Sequence, residues 1–141
     1  KCQLSAFRCY DFLCFFYKRS RNSLPIFFRK INLHLIQCDS KVQEDKIITC
    51  KEEFEKYMED VELCGFGGTD FRPVFEYVDG LIRRHEFQDL KGLIYFTDGR
   101  GTYPAKRPVY ETAFVFMEEE YEDVDVPPWA IKIILEEGQD L

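Results

Sequence analysis

Between Phe71 and Ile82 six apolar residues, Phe71, Val74, Phe75, Val78, Leu81 and Ile82, recur at i, i+3, i+4, i+7, i+10 and i+11, one continuous stripe along a helix. Such a stripe has to be buried against a matching surface, and the residues that follow offer one. Gly92-Leu-Ile-Tyr-Phe-Thr97, Ala113-Phe-Val-Phe-Met117 and Ile131-Lys-Ile-Ile-Leu135 read as short strands with apolar side chains on almost every residue. Strands of that kind are buried on both faces, which is the condition of a mostly parallel sheet covered by helices.

The segment before the stripe extends the pattern. Ile31 to Cys38 is a β-type run, Asp39-Ser40-Lys41 supplies turn chemistry, and Val42 to Thr49 can return as the second strand of a hairpin. Thr49-Cys-Lys-Glu52 matches a capping box, and the short helix after it carries Phe54, Tyr57 and Met58 on one face. Asp70 is placed as N-cap of the striped helix, with Pro73 in the first turn where its missing N–H costs nothing. Val126-Pro-Pro-Trp129 is a rigid connector into the last strand, and Trp129 is expected to be a packing anchor.

A chain of 141 residues fits one domain that can bury a sizeable core without staples. Its net charge of −7 argues against a nucleic-acid or anionic-membrane surface, since both reward basic residues on one face. That average hides an asymmetry. Residues 1–30 hold seven Lys/Arg and one acid, whereas residues 31–141 hold twelve against twenty-five. The six cysteines form no C-x-x-C and find no histidine spaced to complete a zinc site, so reduced thiols and a cytoplasmic location are the expectation. The longest apolar run, Phe12 to Tyr17, is too short to span a bilayer, and no signal peptide is evident.

Two loops place a hydroxyl and a carboxylate beside glycines. The first, Gly67-Gly68-Thr69-Asp70, precedes the striped helix; the second, Thr97-Asp98-Gly99, follows an apolar strand. In a parallel sheet, ligands meet the loops at the carboxyl ends of the strands, and both loops are expected at that edge. Together with the string Gly68-Thr-Asp-Phe-Arg-Pro-Val-Phe75, with Tyr95-Phe-Thr-Asp-Gly99, Tyr103-Pro104 and Pro128-Trp129, they resemble a von Willebrand factor A-like (vWA-like) domain. More narrowly, the chain looks like the vWA-like C-terminal domain of a family of bacterial predicted metallopeptidases, a domain of unknown function, over roughly Phe28 to Leu135.

The resemblance implies an α/β, Rossmann-like three-layer fold: a mostly parallel sheet with one antiparallel edge hairpin, flanked by helices. It also implies a metal-ion-dependent adhesion site, in which Thr69 matches the second-loop ligand and Asp98 the third-loop ligand of Mg²⁺ or Mn²⁺, with Asp70 a neighbour. Gly67, Gly68, Arg72, Gly99 and Arg100 would line the binding edge. The implied partner is a protein that offers an acidic group, within a larger metallopeptidase-like or ATPase-linked system, an AAA-type ATPase among the candidates.

The sequence departs from that pattern in its first element. No D-x-S-x-S occurs, and in the family this motif closes a central strand that should lie where residues 1–28 stand. Two oxygen ligands bind Mg²⁺ poorly, because water already satisfies the ion. Residues 1–27, basic, aromatic and without Glu or Gly, read as a head foreign to the 28–141 domain, from a shifted frame or a truncated gene. An alternative frame in the coding DNA should supply the serine motif; an intact frame without one would sink this reading.

Other chemistries are weakly supported. The Gly-Phe-Gly-Gly loop lacks the Lys-Ser/Thr of a P-loop and the G-x-G-x-x-G of a dinucleotide site. His85-Glu86 lacks the second histidine of H-E-x-x-H, position 89 being Asp, and reads as a helix end. His34 lies within a strand, and Arg72 is placed to pair with Glu76 at i+4. Residues 118–125 form an acidic, solvated loop. The expectation is therefore a non-catalytic protein-binding module, with a fragment of a metal-dependent hydrolase or peptidase as the alternative.

Overall fold

The computed structural model describes residues 32–60, 70–87, 89–117 and 125–135. The basic head, the acidic run at 118–124 and the Gly67-Gly68-Thr69 loop expected to carry the second-loop ligand lie outside these residues. The chain divides into two compact units, Lys1–Gly67 and Gly68–Leu141.

In the first unit, β1 (Leu33–Cys38) and β2 (Val42–Ile48) form the expected antiparallel hairpin. The turn is held by Asp39, whose Oδ1 accepts the Lys41 N–H at 3.0 Å and the Gln43 side-chain amide at 2.9 Å. A register shift at Gln37/Cys38 puts Cys38 opposite Val42. Because side chains alternate across a strand, Leu33, Leu35 and Gln37 share one face. Helix α1 (Lys51–Asp60) covers that face: Leu33 and Leu35 pack on a cluster of Ile48, Phe54, Tyr57 and Met58. Gln37, the polar member of the face, is buried but satisfied. Its amide donates to Glu44 Oε2 at 2.7 Å and to the Tyr57 hydroxyl at 3.0 Å, and that hydroxyl donates to Glu44 Oε2 at 3.1 Å. On the opposite face His34 Nδ1 meets Asp45 Oδ2 at 2.8 Å.

Of the expected capping box only the carboxylate half is made, and from Glu53 in place of Glu52. The helix begins at Lys51, so its third residue is Glu53 and not Glu52. Glu53 reaches back to accept the Thr49 N–H at 2.7 Å and the Thr49 hydroxyl at 3.0 Å. The Thr49 backbone hydrogen bond holds the Glu53 carboxyl below its usual range, with the Thr49 hydroxyl adding to it.

In the second unit, helix α2 (Arg72–Arg83) packs on a parallel sheet of order β3-β4-β5, built from β3 (Gly92–Phe96), β4 (Glu111–Met117) and β5 (Ile131–Leu135). The stripe is buried as its spacing requires. Phe71 is wholly inaccessible, and Val74, Phe75, Val78 and Leu81 are buried. Each such side chain contributes about 1.5–3 kcal/mol. Tyr95 and Phe114 are register partners and present their rings to one sheet face, where Phe71 sits 5.0 Å from Tyr95 and 5.8 Å from Phe114, centroid to centroid. Phe75 lies 6.3 Å from Phe114 and meets Trp129 edge-on at 6.1 Å, which makes Trp129 the anchor expected of it. The fold is the mixed α/β class anticipated, with a parallel three-stranded sheet, an antiparallel hairpin and two helices among the described residues. No helix among the described residues is long and apolar enough to cross a membrane.

Candidate functional site

The loop after β3 lies at the carboxyl end of its strand. Thr97 still belongs to the ladder through its N–H, which donates to Val115 O at 3.2 Å. The chain then turns on its own side chains. The Thr97 hydroxyl accepts the Gly99 N–H at 3.0 Å, and Asp98 Oδ1 accepts the Arg100 N–H at 3.0 Å. Gly99 takes φ 82°, in the left-handed region that only glycine enters without strain. Its carbonyl accepts the Gly101 N–H at 3.1 Å and the Tyr103 hydroxyl at 3.3 Å. Tyr103 in turn packs edge-on against Phe71 at 4.7 Å and Phe114 at 4.9 Å, so the loop is bolted to the aromatic core beneath it.

The same loop meets the start of α2. Asp70 and Thr102 form an isolated parallel bridge, and the Phe71 N–H donates to Thr102 O at 3.1 Å. Asp70 is thereby brought beside the Thr97–Tyr103 loop. Its role differs from the helix cap expected of it. Phe71 is the N-cap and makes no side-chain cap, so Asp70 stands one residue outside the helix. From there Asp70 Oδ1 accepts the Arg72 N–H at 3.0 Å, while the Arg72 guanidinium grips both carboxylate oxygens, Nε to Oδ1 at 2.9 Å and Nη2 to Oδ2 at 2.7 Å. Arg72 thus pairs with Asp70 and not with Glu76. The nearer carboxylate wins because a planar fork matches both of its oxygens at once.

These contacts set the local electrostatics. The Arg72 hydrogen bonds hold the Asp70 carboxyl below its usual range. Burial, with the negative charge of Asp98 adding to it, pushes the Tyr103 phenol up to about 12. Burial also raises Tyr110, with Asp79 the secondary cause. The signs follow by linkage. Asp70 is depressed, so its contribution is present above the unfolded carboxyl value of about 4 and is lost as pH falls through the lower folded value. Tyr103 is raised, so its contribution is intact below about 10 and is lost between about 10 and about 12. Urea midpoints measured across pH should fall at both ends, less steeply on the acid side in D70N and on the alkaline side in Y103F. A wild-type alkaline limb unchanged by Y103F would show that Tyr103 does not ionise later in the folded chain.

The expected ligands do not compose a complete cation site among the described residues. Among the described residues no three His, Cys, Asp or Glu side chains are grouped to hold a metal ion. Asp70 is held bidentately by Arg72, and D-x-S-x-S is missing from the sequence. Asp98 Oδ1 is engaged by the Arg100 N–H, and Thr69 lies outside the described residues. Thr97, Thr102 and Tyr103 organise the loop, and of these Thr102 was not singled out by the sequence. Thr102 acts through its backbone carbonyl and carries no side-chain signal, but the Tyr103-Pro104 pair was visible in the sequence.

The family description "VWA-like domain (DUF2201)" matches residues 27–136. The chain belongs to this vWA-like family of unknown function. The match takes in both loops of the vWA-like resemblance, Gly67–Asp70 and Thr97–Gly99. No curated protein and no solved structure matches the chain.

Proposed function

We propose that this vWA-like domain is a non-catalytic protein-binding module whose ligand is an acidic group of a partner protein. The binding edge is the loop pair of Asp70–Arg72 and Thr97–Arg100. The observation that supports the reading is the pinning of the Thr97–Tyr103 loop, at the carboxyl end of β3, against Asp70 and Phe71, with Arg72 bonded to Asp70 beside it. Arg72, though paired, keeps more than half of its side chain exposed, so one edge of its guanidinium faces outward. Arg100, at the rim of the loop, is also exposed.

With Mg²⁺ or Mn²⁺, Thr69 and Asp98 would supply only two protein ligands, so the acid is taken by guanidinium charge and no step runs through a metal. The chain's net charge of −7 opposes long-range attraction of such a partner, which leaves recognition to these local groups. The setting is a cytoplasmic assembly, a metallopeptidase-like or AAA-type ATPase-linked system, as the family resemblance suggests.

A hydrolase fragment would need a general base beside Asp98. Of the two histidines, His34 is bound to Asp45 within the hairpin. His85 stands beyond the far end of α2, and a helix of 12 residues spans about 18 Å.

Binding of a fluorescein-labelled polyglutamate peptide, followed by anisotropy, tests the proposal. Arg100→Ala should weaken it about tenfold, the value of one charge-assisted hydrogen bond, and EDTA should leave it unchanged. Binding that requires Mg²⁺ or Mn²⁺ and disappears in Asp98→Ala would restore the family's metal-dependent mode. Turnover of a peptide or phosphoester would favour the hydrolase.

A further inference from the structure

Arg72 meets Asp70 along one side of its guanidinium. Nε donates to Oδ1 at 2.9 Å and Nη2 to Oδ2 at 2.7 Å, so the grip uses the Nε–Nη2 edge and leaves Nη1 out of it. A guanidinium is a planar fork of N–H donors, and its other edge, Nη1 with the remaining hydrogen of Nη2, matches a further pair of oxygens. One arginine can therefore hold Asp70 side-on and a second carboxylate end-on at the same time.

The pair is layered so that the cation is outermost. The Arg72 side chain is 55 % exposed and that of Asp70 26 %. The base of the pair is fixed. Asp70 is bridged to Thr102, the next residue, Phe71, is wholly buried, and Asp70 Oδ1 accepts the Arg72 N–H at 3.0 Å as well as Nε. An unheld arginine side chain loses rotamer freedom when a partner fixes it, and that loss weakens binding. At Arg72 the freedom is already lost to Asp70 before any partner arrives. An exposed ion pair contributes little to stability, so the consequence of this one lies in where it holds the cation.

We propose that Asp70 is a positioning residue, which holds the Nη1–Nη2 edge of Arg72 outward as a preset fork for a carboxylate of the partner protein. The proposal rests on the acid-binding reading above and goes beyond it by giving Asp70, a neighbour of the metal in the vWA-like resemblance, to Arg72. It also carries a sign. Asp70 is itself negative and repels an acid, so as a bystander it would weaken binding, whereas as a positioning residue it strengthens it.

Anisotropy of the labelled polyglutamate peptide on the full chain reads that sign. Arg72→Ala should weaken binding about tenfold, and Arg72→Lys, which keeps the charge and loses the fork, should come within about twofold of it. Asp70→Ala should weaken binding about threefold, although it removes a like charge. Asp70→Asn keeps Oδ1 as acceptor and should bind more tightly than Asp70→Ala. The Arg72 Nε–H should give a slowly exchanging NMR signal in the wild type that is lost in Asp70→Ala, a readout that needs no ligand. Tighter or unchanged binding in Asp70→Ala overturns the proposal, as does a lysine variant that binds like the wild type. An asparagine variant no better than alanine, or an Nε–H signal indifferent to Asp70→Ala, overturns it equally. No binding of polyglutamate to the wild type removes the acid-binding reading itself, and this assignment with it.

Discussion

Phe114→Ala should cost about 4 kcal/mol, the largest loss expected from any single substitution in the chain. Phe114 is wholly buried at the centre of the parallel sheet, and four aromatic rings converge on it: Phe71, Phe75, Tyr95 and Tyr103. Its removal leaves a cavity that these rigid rings cannot collapse into without abandoning their edge-on contacts, so the transfer and cavity costs both apply. Unfolding in urea, followed by near-UV circular dichroism of the tyrosines, would measure it. Phe114→Leu, which refills most of the volume, should recover more than half of the loss. An alanine variant within about 1 kcal/mol of the wild type would mean that the ring cluster is not the keystone of this unit.

Gly99→Val should produce the second largest effect, and should do so in both stability and binding. A β-branched residue at φ 82° is strained by about 1–3 kcal/mol. Relieving the strain requires the loop to open. That breaks the Gly99 N–H to Thr97 hydroxyl bond and the Tyr103 hydroxyl to Gly99 carbonyl bond together. Polyglutamate binding should then weaken more than it does in Arg100→Ala, because the whole edge is displaced and not one charge. Binding at wild-type strength in a folded Gly99→Val variant would detach the loop from the proposed function.

The sequence carried much of this because the signals were periodic. The Phe71–Ile82 stripe could be read as a helix buried along one side, and the three apolar strands as a parallel sheet, since both patterns follow from side-chain direction alone. The hairpin could be read from Asp39-Ser40 between two β-type runs. What escaped depended on a single residue of phase or on a backbone atom. Asp70 and the acidic partner of Thr49 were each misplaced by one position, because a side chain that bonds a free N–H does so almost equally well from either neighbouring site. Arg72 offered two acidic partners, and only the bidentate geometry decides between them. The Asp70–Thr102 bridge is a contact of main-chain groups distant in sequence, and no residue type announces it.

The connection from β3 to β4 occupies residues 97–110 and makes its crossover between parallel neighbours without a helix. The segment that forms the proposed binding edge is therefore also the segment that must close before the two strands can pair. Loop-closure entropy is spent before any ladder bond repays it. If the hydrogen bonds around Gly99 help to close this connection, Gly99→Val should also slow refolding of the sheet, which stopped-flow kinetics would measure.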